Sequence, residues 1–191
     1  MDRRRSDTRE RIRATAMELF AERGYDKTSL REIAERLGVT KAALYYHFRT
    51  KEDIVVSLSE DLRGGVDEIV AWAESTPPGR ERAAEIVTRY GALLHSLGKD
   101  MIRFWAENQS AFRDLGIGSS LRYQFRVLAD LITAPDRTPL ATFHARQALL
   151  AISWSLSMMG DLELDDEESY LAATRIALDI VDRTTRPDHS R

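Results

Sequence analysis

Lys41, Ala42, Ala43, Tyr45, Tyr46 and His47 fall within seven consecutive positions and carry the chemistry of a nucleic-acid grip. A lysine can reach guanine acceptors or a phosphate, and two alanines let a helix sit deep in a groove against thymine methyls. Tyrosine hydroxyls, the His47 imidazole and the Lys51 ammonium suit phosphate oxygens, which position a protein without reading sequence. Ser29 and Arg31, with the amides at the start of a preceding helix, offer a second phosphate clamp.

Two short helices and a turn must hold these groups. Ser29 and Glu32 have the Ser-x-x-Glu spacing of a capping box, and Leu30, Ile33, Ala34 and Leu37 form one apolar face. Gly38 follows, where a left-handed residue ends a helix without steric cost. Thr40 caps the second helix, whose Leu44, with Val39 and Phe48, packs inward and leaves the polar set outside. This is a helix-turn-helix pattern whose second helix would enter a major groove of double-stranded DNA.

The stretch GYDKTSLREIAERLGVTKAALYYHFRTKEDIVVSL resembles the N-terminal domain of the tetracycline-repressor (TetR) family of bacterial regulators. The resemblance extends upstream through TRERIRATAMELFAERGY, covering roughly residues 7 to 60. It is carried by Ala16, Phe20, Gly24, Thr28, Ile33, Ala34, Gly38, Val39, Leu44, Tyr45, His47, Phe48 and Lys51. It implies an all-α homodimer with one reading head per subunit. At the positions matching Arg31, Lys41, Tyr45, Tyr46, His47 and Lys51 the family commonly touches DNA, and at those of Ala42 and Ala43 it often contacts bases. Two alanines there leave base recognition thinner than phosphate contact. The resemblance also implies a repressor released from a pseudo-palindromic operator by a small molecule; an activator or a regulator lacking such a ligand is one alternative, and a helical binding protein or enzyme that does not contact DNA is another.

Charge agrees. Residues 1–51 hold 13 Lys and Arg against 8 Asp and Glu, whereas the remainder holds 15 against 23, so a net charge of −3 hides a basic head on an acidic body. Arg3, Arg4 and Arg5 read as a solubilising tail or as an arm toward the DNA. The absence of cysteine excludes disulfides, thiolate metal sites and a cysteine nucleophile. No GxSxG, HExxH or phosphate-cradling glycine loop is present, so neither an enzyme nor a cofactor or metal is expected. With no run long and apolar enough for a membrane span and no signal-like N-terminus, a cytoplasmic chain without membrane contact is expected.

Periodicity predicts nine helices, over about 7–23, the pair within 28–51, then 50–75, 80–97, 99–114, 119–133, 138–160 and 168–184. The expected division is a head over 1–50, an effector-binding and dimerisation domain over 51–186, and a disordered tail over 187–191. Gly64 and Gly65, inside the fourth helix, mark either a hinge or a close packing site. Trp72, Tyr90, Leu94, Trp105, Asn108, Phe112, Tyr123, Trp154 and Met158 are candidates for a pocket taking a small hydrophobic or amphipathic ligand. The eighth helix is apolar nearly all round, which requires a second partner. Leu149, Ile152, Leu156, Ile176 and Ile180 on the last two helices are therefore candidate dimer contacts. His95 and His144 are read as surface or satisfied core, and Asp165 to Glu168 as a solvated run at a helix start.

Overall fold

A computed structural model describes residues 2–108, 112, 115–158 and 162–184, with side chains over 7–108, 112, 115–155 and 162–183. Among the described residues there are nine helices and no strand. They are α1 (Asp2–Arg23), α2 (Leu30–Leu37), α3 (Lys41–His47), α4 (Lys51–Glu74), α5 (Arg80–Leu97), α6 (Lys99–Glu107), α7 (Ile117–Thr133), α8 (Pro139–Met158) and α9 (Asp166–Thr184).

Local chemistry sets most boundaries. Thr50 and Asp53 form a reciprocal capping box that starts α4, and Gly98 at φ 82° separates α5 from α6. Four boundaries differ from the periodicity, among them the start of α9, at Asp166 rather than 168. The backbone of α1 is already helical at Asp2, so Arg3, Arg4 and Arg5 extend a helix rather than form a tail; nothing in 2–23 is a Gly or Pro that would stop it. Helix α6 ends at Glu107 because the Asn108 side-chain amide donates to the Phe104 carbonyl at 2.9 Å, satisfying an end that would otherwise continue. Helix α7 begins two residues early, after Gly116 at φ 70°. The expected tail at 187–191 lies outside the described residues.

Two apolar cores result. One joins Ile12, Ala16, Leu19 and Phe20 of α1 with Ile33 and Ala34 of α2, Leu44, Phe48, and Ile54, Val55 and Leu58 of α4. The other joins Leu62, Val66, Ile69 and Ala73 of α4 with residues of α5, α7, α8 and α9. Helix α4 therefore belongs to both, changing partner after its second turn. Buried Arg82 anchors its far end, donating to the carbonyls of Ala73 (3.2 Å), Thr76 (3.0 Å) and Leu131 (2.8 Å).

The two central glycines of α4 separate in role. A Cβ at Gly65 would collide with the Leu93 side chain of α5, whereas one at Gly64 would meet nothing within 4 Å. Gly65 is a packing site; Gly64 leaves only backbone freedom. On α5, a Cβ at Gly91 would stand 2.7 Å from Thr174 Oγ1 and 3.1 Å from Tyr170 Cε2 of α9. Gly64→Ala is therefore expected to raise stability by about 0.5–1 kcal/mol. Gly91→Ala should lower it by about 1–3 kcal/mol through overpacking. Gly65→Ala should gain less than Gly64→Ala, because Leu93 must rotate away. Denaturant unfolding of the three variants checks this order.

Candidate functional site

The reading head is built as a rigid pair of capped helices. Ser29 Oγ accepts from the Glu32 amide at 3.3 Å, while the Glu32 carboxylate accepts from the Ser29 amide at 2.9 Å and hydroxyl at 2.8 Å. Gly38 at φ 71° turns the chain, and the Val39 amide closes on the Ala34 carbonyl at 3.0 Å. Thr40 Oγ1 accepts from the Ala43 amide at 3.2 Å and starts α3. Leu44 and Phe48 are buried beneath it, and the Arg9 guanidinium lies 4.6 Å from the centre of the Phe48 ring.

On the outer side, Lys41, Ala42, Tyr45 and Tyr46 are exposed, the two tyrosines at 50% and 67%, while Ala43 and His47 are half-buried. Three of the other predicted contact residues have internal partners. The Ser29 hydroxyl is engaged with Glu32, whose carboxylate already sits at the start of α2. Arg31 pairs with Glu35 at 2.7 Å on the helix surface. Lys51 Nζ donates to the Tyr25 carbonyl at 2.9 Å and lies 4.1 Å from the centre of the Tyr25 ring. Lys51 thus holds the α1–α2 connection to the start of α4, a role its position in the sequence did not disclose. The most exposed surface of the predicted contact set is the α3 face formed by Lys41, Ala42, Tyr45 and Tyr46.

A cavity of about 500 Å³ opens in the body between α4, α5, α6, α7 and α8. Of the predicted pocket residues, Tyr90, Leu94, Trp105, Phe112 and Trp154 line it. Three do not. Trp72 lies under the Arg89 guanidinium at 4.2 Å, Asn108 caps α6, and Tyr123 faces solvent at 61% exposure. The side chain of Met158 lies outside the described residues. Sequence reasoning missed Leu62, Val66, Gln124, Leu128 and Ser153 in the wall. Leu62 and Val66 had a signal, their i, i+4 spacing on an inward face, but that spacing cannot distinguish a filled core from a wall. Ser153 Oγ donates to the Leu149 carbonyl at 3.0 Å and lies 2.9 Å from the Tyr90 hydroxyl.

Aromatic rings connect this cavity to the head. Trp105 and Phe112 of the wall pack edge-on at 5.1 Å, and Phe112 meets Tyr25 at 5.4 Å. Phe104 stacks flat on Phe20 of α1, with centroids 5.2 Å apart and planes within 5°. The Tyr25 hydroxyl donates to the Glu52 carboxylate at 2.9 Å. Burial raises its pKa above the ordinary phenol value, and the Glu52 hydrogen bond and charge raise it further, so it remains a donor.

The remaining candidates have structural roles. Asp165 and Glu168 cap the start of α9 reciprocally, with bonds of 3.1 and 2.8 Å, and Asp166 pairs with Lys99 at 2.9 Å. His95 Nε2 is 3.2 Å from Glu167 and its ring stacks on Tyr170. His144 lies half-buried against the edge of Phe143. No helix among the described residues is long and apolar enough to cross a membrane.

Comparison with known proteins fits this geometry. The profile "Bacterial regulatory proteins, tetR family" matches residues 12–58. The HTH-type transcriptional regulator AcrR of Shigella flexneri is 36% identical over 73 residues, a stretch covering 38% of this chain but only 34% of that protein. The HTH-type transcriptional regulator TtgR of Pseudomonas putida is 38% identical, with 82% of this chain and 87% of that protein covered. Among solved structures, AmtR of Mycobacterium smegmatis superposes with a TM-score of 0.66 at 27% identity, over 91% of this chain and 85% of that one. On the full-length similarity and the matched head, the chain belongs to the TetR family of bacterial regulatory proteins.

Proposed function

We propose that the protein is a dimeric DNA-binding repressor that a small amphipathic molecule releases from a pseudo-palindromic operator. The observation that carries this reading is the double membership of Phe112. It lines the cavity and touches Tyr25, which is bound through its carbonyl to Lys51 and through its hydroxyl to Glu52 at the start of α4. A molecule that favours one packing of Phe112 over another biases the head through Tyr25 and α4, and only such differential binding can shift the equilibrium.

The dimer surface must be redrawn. Leu149 and Ile152 are fully buried within the protomer core, packed with α5, α7 and α9, and cannot meet a second subunit. Ile180 is half-buried against the same core, and the side chain of Leu156 lies outside the described residues. The opposite face of α8 exposes Leu140 and Phe143 at 65% and 57%, and α9 exposes Leu171 and Ile176 at 54% and 52%. Exposed apolar side chains on two neighbouring helices fit a self-complementary interface with a second copy, which supplies the second reading head.

In the proposed complex, α3 enters the major groove with Lys41, Ala42 and Ala43 nearest the base edges and Tyr45, Tyr46 and His47 toward phosphates. Footprinting on the DNA flanking its own gene, followed by an operator library, tests the reading. Tyr46→Phe should weaken binding to every sequence alike, whereas Lys41→Ala should change base preference. An unchanged preference with Lys41→Ala would remove that lysine from the base edges. Phe143→Glu or Ile176→Arg should yield a folded monomer by sedimentation, with operator binding lost. Phe112→Ala should leave ligand-free operator binding within a few fold while reducing release by ligand, a coupling of typically about 5–150-fold in affinity.

A further inference from the structure

The cavity wall is strongly asymmetric in charge. Arg122 is the one charged side chain among the described residues that line it, and no acidic residue joins it there. Asp67 of α4 accepts from Gln124 Nε2 of the wall at 2.8 Å. Arg122 itself has no ion pair or hydrogen bond among the described residues. Its guanidinium lies across the first turn of α7: a Cβ on Gly118 would come within 3.2 Å of Nη1, so the glycine makes room for it. Gly118 and Ser119 line the cavity beside it. That first turn contains no acidic residue, and Gly116 provides no side-chain cap, so the positive end of α7 adds to the guanidinium. The rest of the wall is apolar or aromatic, and the hydroxyls of Tyr90 and Ser153 lie within hydrogen-bond reach of each other.

We infer that this cavity takes an amphipathic anion, with an apolar ring system held between Trp105, Phe125, Leu128 and Trp154 and a carboxylate or sulfonate held by Arg122 at the rim. The inference rests on the ligand-binding reading above and specifies the chemistry of that ligand. A guanidinium binds such oxyanions through paired N–H groups, and a site of about 500 Å³ is within the usual range for small-molecule pockets. Among the described residues of this wall a cation finds no counter-charge, whereas an oxyanion finds the Arg122 guanidinium at the exposed rim.

A matched pair of fluorescent probes tests it: anilinonaphthalene sulfonate, and phenylnaphthylamine, which has the same rings without the sulfonate. Titrated against the full chain, the sulfonate is expected to bind at least about tenfold more tightly, a difference of about 1.4 kcal/mol. Each dye should displace the other and quench Trp105 and Trp154 fluorescence by energy transfer. Arg122→Gln should bring the sulfonate within about threefold of the neutral dye and leave the neutral dye unchanged, while Arg122→Lys restores most of the preference. Equal binding of the two dyes to the wild-type protein overturns the anion inference and leaves the ligand-binding reading standing. A sulfonate affinity unaffected by Arg122→Gln also overturns it, as does failure of both dyes to bind. Operator binding, measured on the same samples, tests the DNA reading separately from all of these.

Discussion

The flat stack of Phe20 on Phe104 is the contact through which head and body become one molecule. Both rings are buried, and Tyr25 and Phe112 close around them, so four aromatic side chains from α1, the α1–α2 loop, α6 and the segment after it share one apolar volume. Burying a tyrosine in that volume requires a partner for its hydroxyl. Glu52, at the start of α4, supplies one, and Lys51 beside it takes the Tyr25 carbonyl. The requirement to satisfy a buried polar group thus ties the aromatic cluster to the helix that joins the two cores. The Arg13–Asp61 ion pair makes a second link between α1 and α4.

Helix α4 is consequently constrained along its whole length. Its start is fixed by the Thr50–Asp53 capping box and its end by Arg82, which reaches back across the break at Pro77 and Pro78 to donate to the carbonyls of Ala73 and Thr76. Between them the helix runs unbroken through both glycines. Gly65 lets α5 approach closely through Leu93, so a displacement of α5 or of the cavity wall is felt at the middle of α4 by direct packing. Close-packed interiors transmit such displacements because they lack free volume to absorb them. A local soft point at Gly64 and rigid ends are compatible features of the same helix.

Much of the head was legible in its amino-acid sequence because its determinants are local. Capping boxes, a left-handed glycine and a short apolar stripe act over three to five residues, and the structure contains each where the pattern placed it, at Ser29–Glu32, Gly38 and Leu44. Lys51 and Ser29 show the limit of that reading. Each has a side chain able to meet a phosphate, yet the fold brings Tyr25 to one and Glu32 to the other. Residue type states what a group can bond; the partner that reaches it first depends on the tertiary arrangement.

The body was legible as helices but not as faces. An all-round apolar α8 requires two partners, and periodicity alone could not say which side meets the protomer and which a second copy. The structure places Leu149 and Ile152 inside and Leu140 and Phe143 outside, because Ala145, Ala148, Leu149 and Ile152 of α8 enter the core shared with α5, α7 and α9. The cavity has the same origin: Leu62, Val66 and Leu128 have core spacing, and they become a wall only because five helices meet without filling the space between them. Sequence by itself determined the helices, their caps and the outward chemistry of α3, since these follow from interactions between near neighbours. Which apolar faces became core, cavity or exposed surface was decided by the tertiary structure, because that depends on residues distant in sequence competing for the same buried volume.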